Sequence, residues 1–141
     1  MVRTAIVTTA QGKFRQTVRV GPHVLVADEG AAEGGEDAGL APHEWILAGL
    51  GACTSMTLKM YADRKGWPLE RVRVTLRHSR IHARDCADCE SSVGFVDQID
   101  RDIELTGDLD GTQRQRLLYM ADRCPVHQTL TSEVHVTTSL R

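Results

Sequence analysis

One stretch restricts the fold of this chain more than any other: Pro42 to Gly66, PHEWILAGLGACTSMTLKMYADRKG. Between Trp45 and Leu58 it carries no charged residue, and Cys53 sits in the middle. A helix that is apolar on every side must be buried on every side, as the spine of a core or of a subunit interface. Both ends are marked. Pro42 suits the first helical position, and Glu44 lies in the first turn, where the helix dipole favours an acid. Arg64 and Lys65 occupy the last turn, Gly66 fits the position after the C-cap, and Pro68 stops continuation. Such a helix is roughly 35 Å long at about 1.5 Å per residue. It is not a membrane span, because Glu44, Lys59 and Asp63 cut the apolar run below the ~20 residues required.

The 141 residues fit one domain, 1–141, long enough for a real core. A net charge of −2 and 4% aromatic residues provide neither the basic footprint nor the stacking rings of a nucleic-acid binder. MVRTAIVTTA has no apolar signal-peptide core and reads as a strand, so the cytoplasm is the expected location. In that setting the four cysteines point to redox or metal chemistry rather than structural staples.

In chain order, Val2 to Thr8, Phe14 to Val20 and His23 to Ala27 read as a three-stranded meander turned at Gln11-Gly12 and Gly21-Pro22. DEGAAEGGEDAGLA, from Asp28 to Ala41, reads as a flexible acidic loop: a solvated linker, a lid or a crossover. After the helix, Val72 to His82 and Phe95 to Thr106 form a predicted antiparallel hairpin. A basic row (Arg71, Arg73, Arg77) then faces an acidic row (Asp100, Asp102, Glu104) while the apolar faces coincide. Gly107 to Arg123 reads as a second helix with Asp110 and Gln113 in a capping box, and Leu117, Met120, Ala121 and Cys124 on one stripe. Pro125 breaks it and starts a short turn to Leu130, and Glu133 to Leu140 alternates as a closing strand. The expected fold class is α+β: a β-meander, a long buried central helix, an antiparallel hairpin, a second helix and a C-terminal strand. One chain's sheet hardly covers such a helix, so a homodimer packing two of them together is the simpler solution.

The two cysteines outside the hairpin loop sit in different settings. Mid-helix, Cys53 gains nothing from the helix dipole; burial raises a thiol's pKa, and the residue stays inert unless a cation reaches it. Cys124, before Pro125 at the head of a turn, lies near unpaired backbone N–H groups that favour thiolate, and His127 follows three residues on.

The segments PHEWILAGLGAC and DRCPVHQTL, on this β/long helix/β/helix/β frame, resemble the OsmC/Ohr superfamily of thiol-dependent hydroperoxide reductases over essentially the whole chain. HSRIHARDCADCE and ADRCPVHQTL bring it nearest a subgroup with an extra DCADC loop and a CPVH motif. The resemblance implies an intertwined homodimer with the two long helices central. It assigns Cys53 as the peroxidatic cysteine, Cys124 as the resolving cysteine and Glu44 as the glutamate that orients an active-site arginine. QGKFRQTVRV offers Lys13, Arg15 and Arg19 for that cation, and Arg15 fits by position. The implied reaction takes Cys53 through a sulfenic acid to a Cys53–Cys124 disulfide, which an external dithiol reduces, with no resident cofactor. Trp45, Ile46, Leu50 and Met56 around the thiol would prefer an organic hydroperoxide. The alternative class is a redox-sensing thiol protein without turnover, or a module binding a metal or small molecule.

The second cluster, His78, His82, Cys86 and Cys89, has the spacing of metal ligands. Two histidines four residues apart on a straight strand lie about 13 Å apart at ~3.3 Å per residue, so one metal would need a bend between them. A redox C-x-x-C is a second reading, opposed by the charges of Asp85, Asp88 and Glu90, and an exposed loop with two thiols is the third.

Overall fold

The computed structural model describes residues 2–141, and its contacts divide the chain into two compact units, up to Ala48 and from Gly49 onward. In the first unit β1 (Ala5–Thr9), β2 (Gln16–Val20) and β3 (His23–Ala27) form an antiparallel sheet in the order β1-β2-β3. This is the expected meander, with β1 and β2 starting two or three residues later than the alternation implied. Val20 opposite His23 leaves a two-residue turn, and Gly21 at φ +57° supplies the positive φ that a tight hairpin needs at its first central position.

The acidic segment after β3 is not a slack linker. Asp28 is buried, and its carboxylate accepts the backbone N–H groups of Glu29 (2.8 Å), Glu36 (3.1 Å) and Ala38 (3.2 Å). A short 3-10 turn spans Ala31–Glu33, and the backbone closes through a bridge between Ala27 and Leu40. A side chain on Gly35 or Gly39 would collide with the carbonyl of Glu29 or Val26, so these glycines permit close approach. That is why a glycine-rich composition misled the expectation of flexibility. Burial pushes the Asp28 carboxyl up, but the three N–H groups and nearby Arg15 outweigh it and hold the carboxyl below its usual range. The stabilisation is therefore complete above the ordinary carboxylate pKa and is lost as pH falls through the depressed native value. At neutral pH, Asp28→Ala should bring the amide hydrogen exchange of Glu36 and Ala38 close to open-chain rates. Protection equal to that of the parent protein would refute this account of the loop.

Helix α1 (Pro42–Lys65) matches its sequence signals. It ends in a Schellman arrangement: Gly66 at φ +70°, with Trp67 N–H bonded to Ala62 O (2.9 Å) and Gly66 N–H to Asp63 O (3.2 Å). In the second unit, β4 (Leu69–His82) and β5 (Phe95–Gly107) pair antiparallel. Arg73 lies opposite Glu104 and Arg77 opposite Asp100, so the basic and acidic rows do face each other. Arg73 pairs with Glu104 at 3.7 Å and Arg77 with Asp102, all exposed. Exposed pairs contribute only about 0–1 kcal/mol each, so the register rests mainly on the shared apolar face.

α2 (Gly111–Ala121) starts later than the predicted Gly107, because β5 continues to that residue and Asp110 is the true N-cap. The capping box forms in both directions, Gln113 N–H to Asp110 (2.8 Å) and Asp110 N–H to Gln113 (2.9 Å). α3 (Pro125–Leu130) follows. The core of this unit joins Leu58, Tyr61 and Ala62 of α1 to Leu69, Leu109, Leu117 and Ala121. Leu58 and Leu117 are fully buried, each worth about 2 kcal/mol of apolar burial.

Two expectations need correction within one chain. α1 buries a single stripe, Leu50, Thr54, Leu58, Tyr61 and Ala62, whereas Met56 and Met60 remain 62% and 60% exposed. The predicted closing strand from Glu133 to Leu140 forms no ladder with the other described residues, and Val134, Val136 and Leu140 are exposed. Alternation supplies a face, but a strand needs a partner edge for its backbone groups. Among the described residues no helix is long and apolar enough to cross a membrane.

Candidate functional site

Cys53 and Cys124, 71 positions apart in sequence, meet in the second unit. α1 brings Cys53 there half-buried, on the helix stripe beside fully buried Thr54. The short link after α2 brings Cys124, itself fully buried, as the N-cap of α3. The two thiols lie close enough for Cys124 to push the Cys53 thiol up. The first turn of α3 acts on both sulfurs: the Val126 backbone N–H lowers the Cys53 pKa, and His127 N–H donates to Cys124 Sγ at 3.4 Å. Pro125 makes this possible, since it holds the first helical position and leaves the next two N–H groups open.

Burial is the main influence on Cys53 and pushes its thiol up. Cys124 acts the same way, because a second sulfur nearby disfavours charge. Val126 N–H and the Thr57 hydroxyl pull the other way without prevailing. The main influences on Cys53 are thus burial, Cys124, Val126 and Thr57, and none of these is a cation.

Arg15 and Glu44 have local partners in the first unit. Arg15 Nη2 lies 3.6 Å from Glu36, while its buried Nε has no hydrogen-bond partner among the described residues. Glu44 accepts the Ala41 N–H at 2.8 Å and so caps the start of α1.

The loop cluster does not converge. Cys86 and Cys89 are joined in a disulfide, His78 Nε2 lies 2.9 Å from Asp97, and the His82 ring stacks on Phe95 with centroids 4.4 Å apart. No group of three or more metal-ligating side chains forms among the described residues. The extended strand spreads the histidines, and the disulfide occupies both sulfurs.

Sequence reading missed Arg101. Its side chain is only 12% exposed and bonds Thr54 Oγ1 (3.1 Å), Ala121 O (3.3 Å) and Asp122 (2.7 Å). The signal was available: Arg101 alternates onto the same β5 face as Ile99 and Ile103, so an arginine had to be accommodated among apolar side chains. A cavity of about 440 Å³ lies here, with apolar walls from Leu50, Ile99 and Ile103 and polar groups from Arg101, Asp122 and His127.

The chain and its fold match a known family. The family model described as OsmC-like protein matches residues 34–139, and the chain belongs to that family. Solved structures share the fold. An OsmC-like protein from Mycoplasma pneumoniae is 19% identical with a TM-score of 0.70, over 91% of this chain and 86% of its own. An organic hydroperoxide resistance protein OsmC from Legionella pneumophila is 24% identical with a TM-score of 0.64, over 91% and 89%. An organic hydroperoxide resistance protein from Elizabethkingia anophelis, with thiocyanate bound, is 16% identical with a TM-score of 0.66, over 93% and 89%. Among curated proteins no sequence match to the chain was found.

Because Cys124 disfavours the Cys53 thiolate, Cys124→Ala should lower the pH midpoint for alkylation of Cys53. The pH dependence of iodoacetamide labelling, followed by peptide mass spectrometry, measures it, and an unchanged or higher midpoint contradicts the assignment.

Proposed function

We propose that this protein is a thiol-dependent hydroperoxide reductase acting on organic hydroperoxides. One observation carries the reading: two free thiols, Cys53 of α1 and Cys124 at the head of α3, close enough for Cys124 to influence the ionisation of Cys53, in a chain of the OsmC-like family. Names of structural relatives refer to organic hydroperoxide resistance, which supports the same direction.

The Cys53 thiolate attacks the O–O bond, the bond breaks, and the alkoxide leaves as an alcohol after taking up a proton. Sulfur is oxidised by two electrons to the sulfenic acid. The Cys124 thiol then displaces water from that sulfur and closes the disulfide. An external dithiol reduces it by exchange, becoming a disulfide itself and restoring both thiols. The apolar walls contributed by Leu50, Ile99 and Ile103 suit the organic part of the substrate. The reducing cytoplasm suits the cycle.

The chemistry needs a cation to offset what burial does to Cys53. We assign that role to Arg15, oriented by Glu44, on the resemblance of their sequence positions. With cumene hydroperoxide and a dithiol, the wild-type protein should consume peroxide. Cys53→Ser should abolish turnover and Arg15→Met reduce it at least tenfold. Turnover that survives Cys53→Ser overturns the reading.

The second part of the proposal is a homodimer. Exposed Met56 and Met60 on α1 and the unpaired alternating segment 133–141 are surfaces that a second copy would cover. Sedimentation equilibrium should give twice the mass of the chain, and Met60→Asp should shift it toward one chain. A wild-type monomer at micromolar concentration rules this out.

A further inference from the structure

We propose that Arg101 is a positioning residue that holds Cys124 against Cys53 and so sets the rate and stability of their disulfide. The inference rests on the reading above only in taking Cys53 and Cys124 as a redox pair.

One guanidinium nitrogen links the two segments that carry the thiols. Arg101 Nη1 donates to Thr54 Oγ1 at 3.1 Å, and Thr54 follows Cys53 directly on α1. The same nitrogen donates to Ala121 O at 3.3 Å. That carbonyl also accepts the backbone N–H of Cys124 itself, at 3.4 Å. One guanidinium nitrogen therefore spans from the neighbour of one thiol to the carbonyl that fixes the other. Nη2 adds a bond to Asp122 at 2.7 Å, and Asp122 in turn lies 3.8 Å from His127, whose N–H holds the Cys124 sulfur.

The surroundings make the link rigid. Thr54 and Cys124 are fully buried, Ala121 is 1% exposed, and Thr54 also donates to Leu50 O at 2.7 Å. β5 holds Arg101 opposite Leu76, inside the paired part of the hairpin. A buried guanidinium is costly to desolvate unless its donors are met, so here it is tied to one geometry of three acceptors. Those acceptors lie on the two segments that carry the thiols. Disulfide closure depends on how long the second sulfur stays within reach of the first, which is the quantity this link controls.

The test uses the full-length protein with Arg101→Met, Arg101→Lys and Thr54→Val, circular dichroism confirming that each is folded. Two quantities are read by peptide-resolved mass spectrometry, which separates the Cys53–Cys124 pair from Cys86–Cys89. One is the rate of Cys53 sulfenylation by cumene hydroperoxide, trapped with dimedone, against the rate of disulfide closure. The other is the equilibrium of the pair in mixtures of reduced and oxidised dithiothreitol, which requires no peroxide. Arg101→Met should slow closure at least tenfold while sulfenylation stays within twofold. It should also weaken the disulfide tenfold, a rise in potential of about 30 mV. Arg101→Lys should recover part of both. If Arg101→Met does not fold, Thr54→Val decides by the same readouts, with a smaller effect in the same direction. Folded variants that close and equilibrate like wild type overturn the proposal and leave the peroxidase reading intact. A wild-type protein that is never sulfenylated, yet whose dithiothreitol equilibrium depends on Arg101, ends the peroxidase reading and supports this one.

Discussion

A guanidinium inside a protein must find acceptors, and the demands of Arg101 run through the whole C-terminal unit. β5 must keep strict alternation to direct it inward, α1 must present Thr54, and α2 must stop where Ala121 and Asp122 can receive it. An ion removed from water and left unmatched costs several kcal/mol, on the scale of a domain's whole stability. The hydrophobic contacts among Leu58, Leu117 and their neighbours drive collapse, but many packings would bury those leucines equally well. The polar bonds of one arginine are selective, and they choose the packing in which the cysteines meet.

The surroundings of the thiol pair act on the ionisation of Cys53 in two opposed ways. Burial, complete at Cys124 and partial at Cys53, suppresses the Cys53 thiolate. Backbone N–H groups at the head of α3 relieve part of this, with Val126 serving Cys53 and His127 serving Cys124. They provide partial charge in a fixed direction and no mobile counter-ion. Ionisation of Cys53 therefore depends on what else is brought to it.

Much of this was legible in the residues. Pro42, Gly66 and Pro68 marked α1, and Asp110 and Gln113 marked the start of α2, because each is a local signal with a local cause; the hairpin register was legible because two alternating segments carried matching apolar faces and opposed charge rows. Cys124 before Pro125 also pointed correctly to sulfur beside open N–H groups. What escaped was non-local. Alternation places Arg101 on the apolar face of β5, but its acceptors Thr54 and Ala121 are distant in sequence and could not be read from the strand. The segment from Glu133 onward has a strand's pattern, yet pairing is a property of two segments and cannot be read from one.

Composition was least informative in the segment from Asp28 to Ala41, where acids and glycines stood for a compact, pinned structure. Loops of such composition ordinarily absorb extra residues at small entropic cost. Here one carboxylate receives N–H groups one, eight and ten positions downstream. Adding or removing a single residue between Asp28 and Ala38 would take at least one donor out of reach. The length of this loop is consequently fixed as tightly as the length of a paired strand, and natural variation here should take the form of substitutions rather than insertions.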